Sequence, residues 1–572
     1  MARLPEKFSF LDFFDDRNVR DPATLHEKLV WQLASVLWDD IEIPDELQQF
    51  PKVMGRLRKD KLSEFWQKLV DEASSKHVAM AKSNEEKAIA SLSGHRVPDA
   101  CGHLLNGKDF HLATLVALIG GKDGIRKDIR EQLNDWQKSR ALSEFSQPIR
   151  AIYELLAGNV CVCDGTKGVP MEDKVESFII SKRFGLDWRQ AFGLRLWYGI
   201  MSNEPIENAI AAYAQDLAQD KETARPQAWY VEQGVPTLWN DEDLEEREDL
   251  LWGLLKIYTF DKADLESTLR PENSQLSPLD VRLSWQLSQA LTSSEVIGYG
   301  NDNDKADQLT LDFASQLTYE GSWLDAVFVL LHFGYVEEDE TMKANELEAK
   351  RKQASQARAK AIQDHLAQHA GRIGSEESQN FTTLTQTYKI PSAWIWEAKA
   401  LYLRSVEKNP RGEVECLIKA GSFNEAHRTF TRDVAPKTII EMDYDTLRQL
   451  LAGFHGKENT ISEWHLGGEI YQDFLELLHC QKKGRAVDHA VLERLLAALP
   501  AVIEDESHTG FMERVAVESI SGVVAKTAVA LGKKGEVSFL CLCWKRDLML
   551  TVETRNPTCT RCCVFPLRKT NT

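Results

Sequence analysis

Two stretches of the chain have almost the same sequence pattern, and this pattern is the main indication of the fold. They are "EGSWLDAVFVLL" at 320–331 and "AGSFNEAHRTF" at 420–430. Glycine can take the left-handed conformation that ends one helix. Serine can accept the first free N–H groups of the next helix while an acid three residues later reaches back, and alanine lets two helices cross closely. We therefore predict nearly loopless helix corners at Gly321, Ser322, Asp325 and Ala326, and again at Gly421, Ser422, Glu425 and Ala426.

Helical signals continue from about residue 20 to about residue 530. In "DPATLHEKLVWQLASVLWDDI" (21–41), Asp21 and Pro22 form a start signal and leucines follow at four-residue spacing. Tryptophans on such helices are typical of core packing rather than of a cofactor site. No strand alternation interrupts this region. We predict an all-α fold, a folded-back stack in which each helix pair contacts mainly its neighbours.

Length and charge narrow the class of protein. A chain of 572 residues exceeds one compact core, so several domains or an extended stack are expected. The net charge of −19 argues against a protein that binds nucleic acid or membrane surfaces. Because no run of eighteen apolar residues and no signal-peptide pattern is found, we expect a soluble intracellular protein.

The segment 534–572 breaks the helical pattern. It carries seven lysines or arginines against three acids, and it holds half of the ten cysteines of the chain. We interpret it as an atypical basic extension, either disordered or the product of a retained intron or a shifted reading frame. Thiolates on two short knuckles could instead hold zinc, but this alternative is the less favoured one and we predict no metal. The cysteines concerned are Cys541, Cys543, Cys559, Cys562 and Cys563.

Motifs that carry chemistry are missing from the sequence. We find no phosphate-binding loop, no H-E-x-x-H, no nucleophile elbow and no dinucleotide fingerprint. The fourteen histidines are spread without ligand spacing. These observations favour a structural protein without a cofactor over an enzyme.

Five blocks, in this order, resemble one family of scaffold nucleoporins, the ninety-six-kilodalton nucleoporin of animals and the one-forty-five C half in fungi. The blocks are "GLDWRQAFGLRLWYGI", "PLDVRLSWQLSQAL", "YEGSWLDAVFVLLHFGY", "KIPSAWIWEAKALY" and "CLIKAGSFNEAHRTFTRDVAPKTIIEMDYDTLRQLLAGF". The resemblance runs from near the start to about residue 530. It implies an ancestral coatomer element, a U-shaped helical stack with a trunk, a crown and a tail. The implied bounds are 1–80 for the outgoing trunk, 81–217 for the crown, 218–345 for the returning trunk and 346–533 for the tail.

The resemblance also implies a function and partners. The family is a structural subunit of the Y-shaped coat of the nuclear pore complex at the nuclear envelope, and it indirectly supports mRNA export and protein import. Its crown docks on a sister nucleoporin and its tail meets the hub of the Y, without direct contact to nucleic acid and without membrane insertion. Docking at the crown would need exposed apolar residues, and "GIRKDIREQLNDWQKSR" (124–140) offers Ile129, Leu133 and Trp136. Internal packing of the same residues is the alternative.

One family feature is not found in the sequence. Family members carry, before the trunk, a strand-rich segment that completes an open six-bladed propeller protein of the Sec thirteen type. Here the first helix is expected at about Thr24, so we expect this blade to be missing. Two alternative functions remain open: a vesicle-coat or exit-site scaffold of the same coatomer element family, and a helical regulatory subunit.

Overall fold

The computed structural model describes residues 4–5, 7–14, 21–41, 53–120, 123–166, 174–260, 264–294, 303–334, 344–485, 487–504 and 510–531. Almost all regular structure in these ranges is helical, which confirms the predicted all-α class. The C-terminal extension at 534–572 and its five cysteines lie outside the described residues. The chain forms two compact units, Met1–Ala354 and Ser355–Thr572. The bounds of trunk, crown and tail stay predictions.

The first unit holds sixteen of the described α-helices and the start of a seventeenth. These are α1 (Pro22–Trp38), α2 (Val53–Met80), α3 (Asn84–Leu92), α4 (Val97–Asn106), α5 (Phe110–Val116), α6 (Asp123–Lys138), α7 (Gln147–Ala157), α8 (Ile180–Phe184), α9 (Trp188–Leu194), α10 (Ile206–Ala218), α11 (Trp229–Glu232), α12 (Leu250–Thr259), α13 (Leu265–Thr268), α14 (Arg282–Ser293), α15 (Asn303–Tyr319), α16 (Trp323–Leu330) and α17 (Ala344–Ile373).

Helix α1 shows why the chain of the first unit folds back on itself. It begins where the Asp21 carboxylate accepts the Thr24 N–H at 2.9 Å and where Pro22 occupies the first turn. Apolar residues surround most of this helix, and Trp31 is fully buried with the Phe13 ring stacked 4.9 Å away. The helix packs on α2 and also on α12, more than two hundred residues later. Its burial between these neighbours explains the wide apolar surface of α1, which leaves only a partly exposed polar stripe of Thr24, Lys28, Gln32 and Ser35.

A short hairpin interrupts the helices of the first unit. Strand β1 (Val162–Cys163) pairs antiparallel with β2 (Phe178–Ile179). The Arg150 side chain supports the hairpin by donating to the backbone carbonyls of Asp164 at 2.8 Å and Glu176 at 3.2 Å. The sequence analysis missed this hairpin because two-residue strands leave no alternation to detect.

The second unit contains the rest of α17 and nine further described α-helices: α18 (Gln379–Thr382), α19 (Ser392–Tyr402), α20 (Pro410–Ala420), α21 (Phe423–Thr429), α22 (Ala435–Glu441), α23 (Tyr444–Ala452), α24 (Gly468–Lys482), α25 (His489–Glu504) and α26 (Phe511–Ala530). Three of these helices, α18, α19 and α21, run directly into a wider π-helical turn. Consecutive helices pack pairwise, and the core they enclose is apolar.

Candidate interaction surfaces

At both helix corners the first helix ends in the same way. Gly321 and Gly421 have φ of +93° and +81°, in the left-handed region that glycine occupies at little cost. At the second corner the Gly421 N–H donates to the Ile418 carbonyl at 3.1 Å and the Ser422 N–H donates to the Leu417 carbonyl at 3.0 Å. The first corner repeats both bonds. This pattern is a Schellman motif, and it satisfies carbonyls that would otherwise be left free at the helix end.

The predicted serine caps are wrong. Ser322 and Ser422 stand directly before the next helix, but neither side chain accepts a hydrogen bond from it. Their ψ angles of 51° and 59° differ from the extended conformation of a capping residue, because the backbone N–H of each serine is held by the Schellman bond. The Ser422 hydroxyl instead donates to Glu397 at 3.1 Å. Glu425 accepts a hydrogen bond from Arg404 at 2.7 Å and does not reach back to the serine.

The alanines of the corners are both fully buried. Ala326 lies where α15 and α16 meet, and Ala426 lies where α20 and α21 meet. A larger side chain at either position would push the paired helices apart. Asp325 forms no ion pair or hydrogen bond within the described residues and remains at the surface.

The predicted crown interface on α6 turns largely inward. Ile129 is only 4% exposed, so it does not offer a free surface, and that part of the prediction is wrong. Leu133 and Trp136 are half-buried against the core of the first unit. The Trp136 ring lies 4.6 Å from the Phe145 ring and 4.8 Å from the Tyr153 ring of α7. Internal packing, the alternative considered for these residues, therefore accounts for Ile129 fully and for the other two in large part.

Two arginines that the sequence analysis did not single out anchor α6. Arg126 is buried, and its guanidinium donates to the Ile200 carbonyl at 3.1 Å. Arg130 donates to the Ala157 carbonyl at the C-terminal end of α7 at 2.7 Å. Cations near the C-terminal end of a helix satisfy its free carbonyls and interact favourably with its dipole. The charged side chains of α6 thus hold the helix in place together with the apolar ones.

Three exposed apolar residues within the predicted crown lie instead on α4, on α5 and directly after α5, and together they form the candidate crown surface. Leu105 is near the end of α4, Phe110 is the first residue of α5, and Leu118 follows the end of α5. All three are exposed, Phe110 by 65%. The Asp109 carboxylate accepts the Leu112 N–H at 2.9 Å and fixes the start of α5. No sequence signal marks these exposed side chains, because aromatic residues at the same position directly after an N-cap residue, such as Trp188 and Trp323, are buried.

A buried charge cluster ties α1 to the later part of the first unit. The His26 Nε2 lies 3.1 Å from an Asp249 carboxylate oxygen, and Arg189 donates to the other oxygen at 3.0 Å. Burial alone would raise the pKa of Asp249, but His26 and Arg189 hold that pKa below its usual value. The neighbouring Glu27 accepts two hydrogen bonds from Arg282 at 2.8 Å and 2.6 Å. Two consecutive residues of α1 thus reach partners more than 220 residues away.

A buried histidine joins two segments of the second unit. The Gly468 N–H donates to His427 Nε2 at 2.9 Å, which requires that nitrogen to be unprotonated. The imidazole packs against the rings of Phe454 and Trp464. Burial lowers the pKa of His427 to about 4, and the nearby Glu463 charge offsets only part of this effect. The histidine is therefore neutral at physiological pH.

Neither a metal site nor a membrane span emerges from the described ranges. No three histidine, cysteine, aspartate or glutamate side chains converge there as metal ligands would. None of the helices in those ranges is both long and apolar enough to cross a bilayer. The described residues ahead of α1 form a 3-10 turn at Phe10–Phe13 and no strand.

Comparison with known proteins identifies the family. A family model described as Nuclear protein 96 matches residues 86–402, more than half of the chain. Nucleoporin NUP145 of Chaetomium thermophilum is 34% identical over 503 residues, which cover 87% of this chain and 24% of that protein. Nucleoporin nup189 of Schizosaccharomyces pombe is 29% identical over 520 residues, 87% of this chain and 26% of that protein.

An animal relative is also similar. Nuclear pore complex protein Nup98-Nup96 of Drosophila melanogaster is 28% identical over 470 residues, 80% of this chain and 22% of that protein. The chain thus spans about a quarter of the length of these relatives. The matched region contains the helices of the candidate crown surface as well as the corner at Gly321. The chain belongs to the Nuclear protein 96 family of nucleoporins.

Proposed function

We propose that this chain is a structural coat subunit of the nuclear pore complex that links a sister nucleoporin at its crown to hub nucleoporins at its tail. As a member of a nucleoporin family it works at the nuclear envelope, and it is not an enzyme. The relatives described above all carry names of pore proteins, which favours the pore over the vesicle-coat alternative. Its support of mRNA export and protein import is indirect, through the architecture of the pore.

The exposed apolar surface on α4 and α5 is the observation that carries the crown contact. Helices α4 and α5 pack against each other, so exposed apolar side chains on them can belong to one protein interface. Aromatic residues are enriched among the side chains that contribute most of the binding free energy in interfaces. Phe110 projects from a helix start whose backbone is fixed by the Asp109 cap, so little backbone freedom is lost there on docking. This surface replaces α6 as the candidate for the sister nucleoporin.

The tail contact is supported by exposed apolar residues at both ends of α26. Phe511 and Met512 begin this helix, and Val529 and Leu531 lie at its end. Phe511 is 72% exposed, although the middle of the same helix is buried through Ile520 and Val524. A helix that buries its centre and exposes apolar ends can extend its packing into a second protein.

Co-purification with the sister nucleoporin tests the crown contact. We expect Phe110→Ser with Leu118→Ser to abolish co-purification while the melting temperature stays unchanged, since both side chains are already in water. Phe511→Ser is the matched control, because it removes an equally exposed phenylalanine from the tail and should leave the crown complex intact. Retention of the sister nucleoporin by the crown variant would overturn this assignment.

A further inference from the structure

Two of the three most exposed large apolar side chains of the described part of the first unit lie on connected loops, and the third belongs to the last residue of α15, all far from α4 and α5 in the sequence. Leu238 is 80% exposed, Leu279 is 79% exposed and Tyr319 is 95% exposed. The Leu238 N–H donates to the Leu276 carbonyl at 3.0 Å, which brings the first loop beside the second. We call these three residues the loop patch.

The second loop is joined to the end of α15 in the same way. The Val281 N–H donates to the Gln316 side-chain oxygen at 3.0 Å, and the Gln316 amide nitrogen lies 3.3 Å from the Asp280 carboxylate. Tyr319 stands one helical turn beyond Gln316. Hydrogen bonds therefore connect the three segments that carry these apolar side chains.

Two buried aromatic residues hold the loop at 272–279 in place by hydrogen bonds to its backbone. The Trp229 indole N–H donates to the Ser274 carbonyl at 2.7 Å, and the Tyr230 hydroxyl donates to the Glu272 carbonyl. Trp229 and Tyr230 are themselves buried. A rigid platform that displays apolar side chains binds a partner without losing the freedom of its own loops.

The charge around the loop patch selects the partner. Glu242, Asp243, Glu245 and Glu246 follow Leu238 along the chain, and none of them forms an ion pair with a residue in the described ranges. In the same segment only Asp241 and Glu248 are neutralised, by Arg247 and Lys256. Unpaired acids beside apolar side chains attract Lys and Arg and repel an anionic lipid surface.

We propose that the loop patch binds a basic amphipathic segment of a partner protein, one that presents leucine-like side chains next to lysine or arginine. This contact is additional to the crown and tail contacts and does not rest on them. The apolar side chains supply the affinity, whereas the acids raise the association rate and exclude acidic partners.

The probes for this proposal are three synthetic peptides of about 18 residues, of the length that amphipathic helices use to fill protein surfaces. One peptide combines leucine with lysine, the second combines leucine with glutamate, and the third combines lysine with glutamine at the charge of the first. We expect the full chain to bind only the leucine–lysine peptide, with salt-sensitive affinity, and amide exchange to slow in 236–246, 276–281 and 316–321.

Two triple variants make the test specific. Leu238→Ser, Leu279→Ser and Tyr319→Ser together should weaken the leucine–lysine peptide at least about tenfold, a loss of a few apolar contacts. The matched control changes three side chains of similar exposure outside the patch, Met80→Ser, Val406→Ser and Met442→Ser, and should keep full affinity. Because all six residues are exposed, both variants should melt like the wild type.

Four results would overturn the proposal. They are equal peptide affinity in the two triple variants, binding of the leucine–glutamate peptide, binding of the patch to vesicles of neutral lipid, and a concentration-dependent dimer that the patch variant loses. A further variant, Glu245→Gln with Glu246→Gln, keeps the apolar patch. It should slow association with the leucine–lysine peptide and leave dissociation nearly unchanged.

Discussion

Single residues of this chain act mainly through the conformation and protonation that the fold imposes on them. Gly421 is held at positive φ where two helices meet, and His427 is held neutral between two aromatic rings. Gly421 fits its site because it has no Cβ atom, and His427 fits its site because its Nε2 carries no proton. We therefore expect a loss of folding stability when a Cβ atom is added at position 421 or when His427 is protonated.

Gly421→Ala should destabilise the protein by about 1 to 2 kcal/mol, the cost of the left-handed conformation for a residue with a Cβ atom. Because an added Cβ would meet no atom within 4 Å, no steric clash adds to this cost. Gly522→Ala is the matched control, since it lies inside α26 with equally open surroundings. There alanine should stabilise by up to about 1 kcal/mol through helix propensity. Urea unfolding of both variants checks the two signs, and destabilisation by both would contradict the argument.

Stability should fall below pH 6.5 because of His427. Its pKa is lowered to about 4 in the folded protein, against 6.5 as its ordinary value. The folded state binds this proton less readily than the unfolded chain does. The contribution of neutral His427 to the free energy of unfolding is therefore complete above pH 6.5 and is lost as the pH falls toward 4. The loss amounts to about 3 kcal/mol. His427→Gln keeps an acceptor for the Gly468 N–H and cannot titrate, so the stability difference between wild type and variant should shrink or reverse at acidic pH.

At the scale of elements, α6 shows how much of the environment of a helix can be predicted from the periodicity of its apolar residues alone. The apolar stripe of α6 was visible in the sequence, and so was its amphipathic character. The neighbour that covers the stripe was not visible, because α7 and the segment near Ile200 supply the packing surface from later in the chain. Arg126 is buried and Arg130 is exposed, and the sequence analysis singled out neither of them as an anchor. A helix at a surface and a helix between two surfaces can share one sequence pattern when long cationic side chains reach backbone carbonyls.

Trp136→Ala should therefore act on stability rather than directly on partner binding. Its ring contacts Phe145 and Tyr153 but remains half-buried, so we expect a loss of about 2 kcal/mol, below the range for a fully buried tryptophan. Phe110→Ser should change stability by no more than about 0.5 kcal/mol. Thermal unfolding separates the two variants. An unchanged melting temperature for Trp136→Ala would restore α6 as a candidate interface.

For the molecule as a whole, the resemblance in the sequence predicted the family and the class of fold, and both are confirmed. The corners at Gly321 and Gly421 could be predicted because a glycine after a helical pattern indicates a left-handed helix end, although the predicted serine caps were wrong. The ties between distant segments were not visible. His26 and Asp249 are ordinary surface-type residues in the sequence, and only the packing of α1 against α12 makes them a buried pair. Long-range electrostatics of this kind leave no local pattern to read.

Loss of the buried pair should loosen α1. Asp249→Asn removes the buried carboxylate that His26 and Arg189 share, while Arg189 keeps its ion pair with Glu232 at 2.7 Å. The cost should therefore lie below the roughly 3 to 5 kcal/mol of leaving a buried charge without any partner. Hydrogen exchange should become faster across Pro22–Trp38 before other helices of the first unit are affected. Asp445→Asn removes one partner of an exposed pair with Arg448 and should cost less than about 1 kcal/mol. Equal exchange of α1 in the wild type and in Asp249→Asn would contradict the role of this pair.

The distance between α1 and its charge partners has a consequence for synthesis on the ribosome. His26 precedes Asp249 by 223 residues, and Glu27 precedes Arg282 by 255. At about 5 to 20 residues per second, α1 waits for roughly ten to fifty seconds before the chain that covers it has been translated. During that interval the apolar residues of α1 are exposed and can bind a chaperone. Synonymous codons that slow translation between α1 and α14 should lengthen the time for which the nascent chain depends on that chaperone.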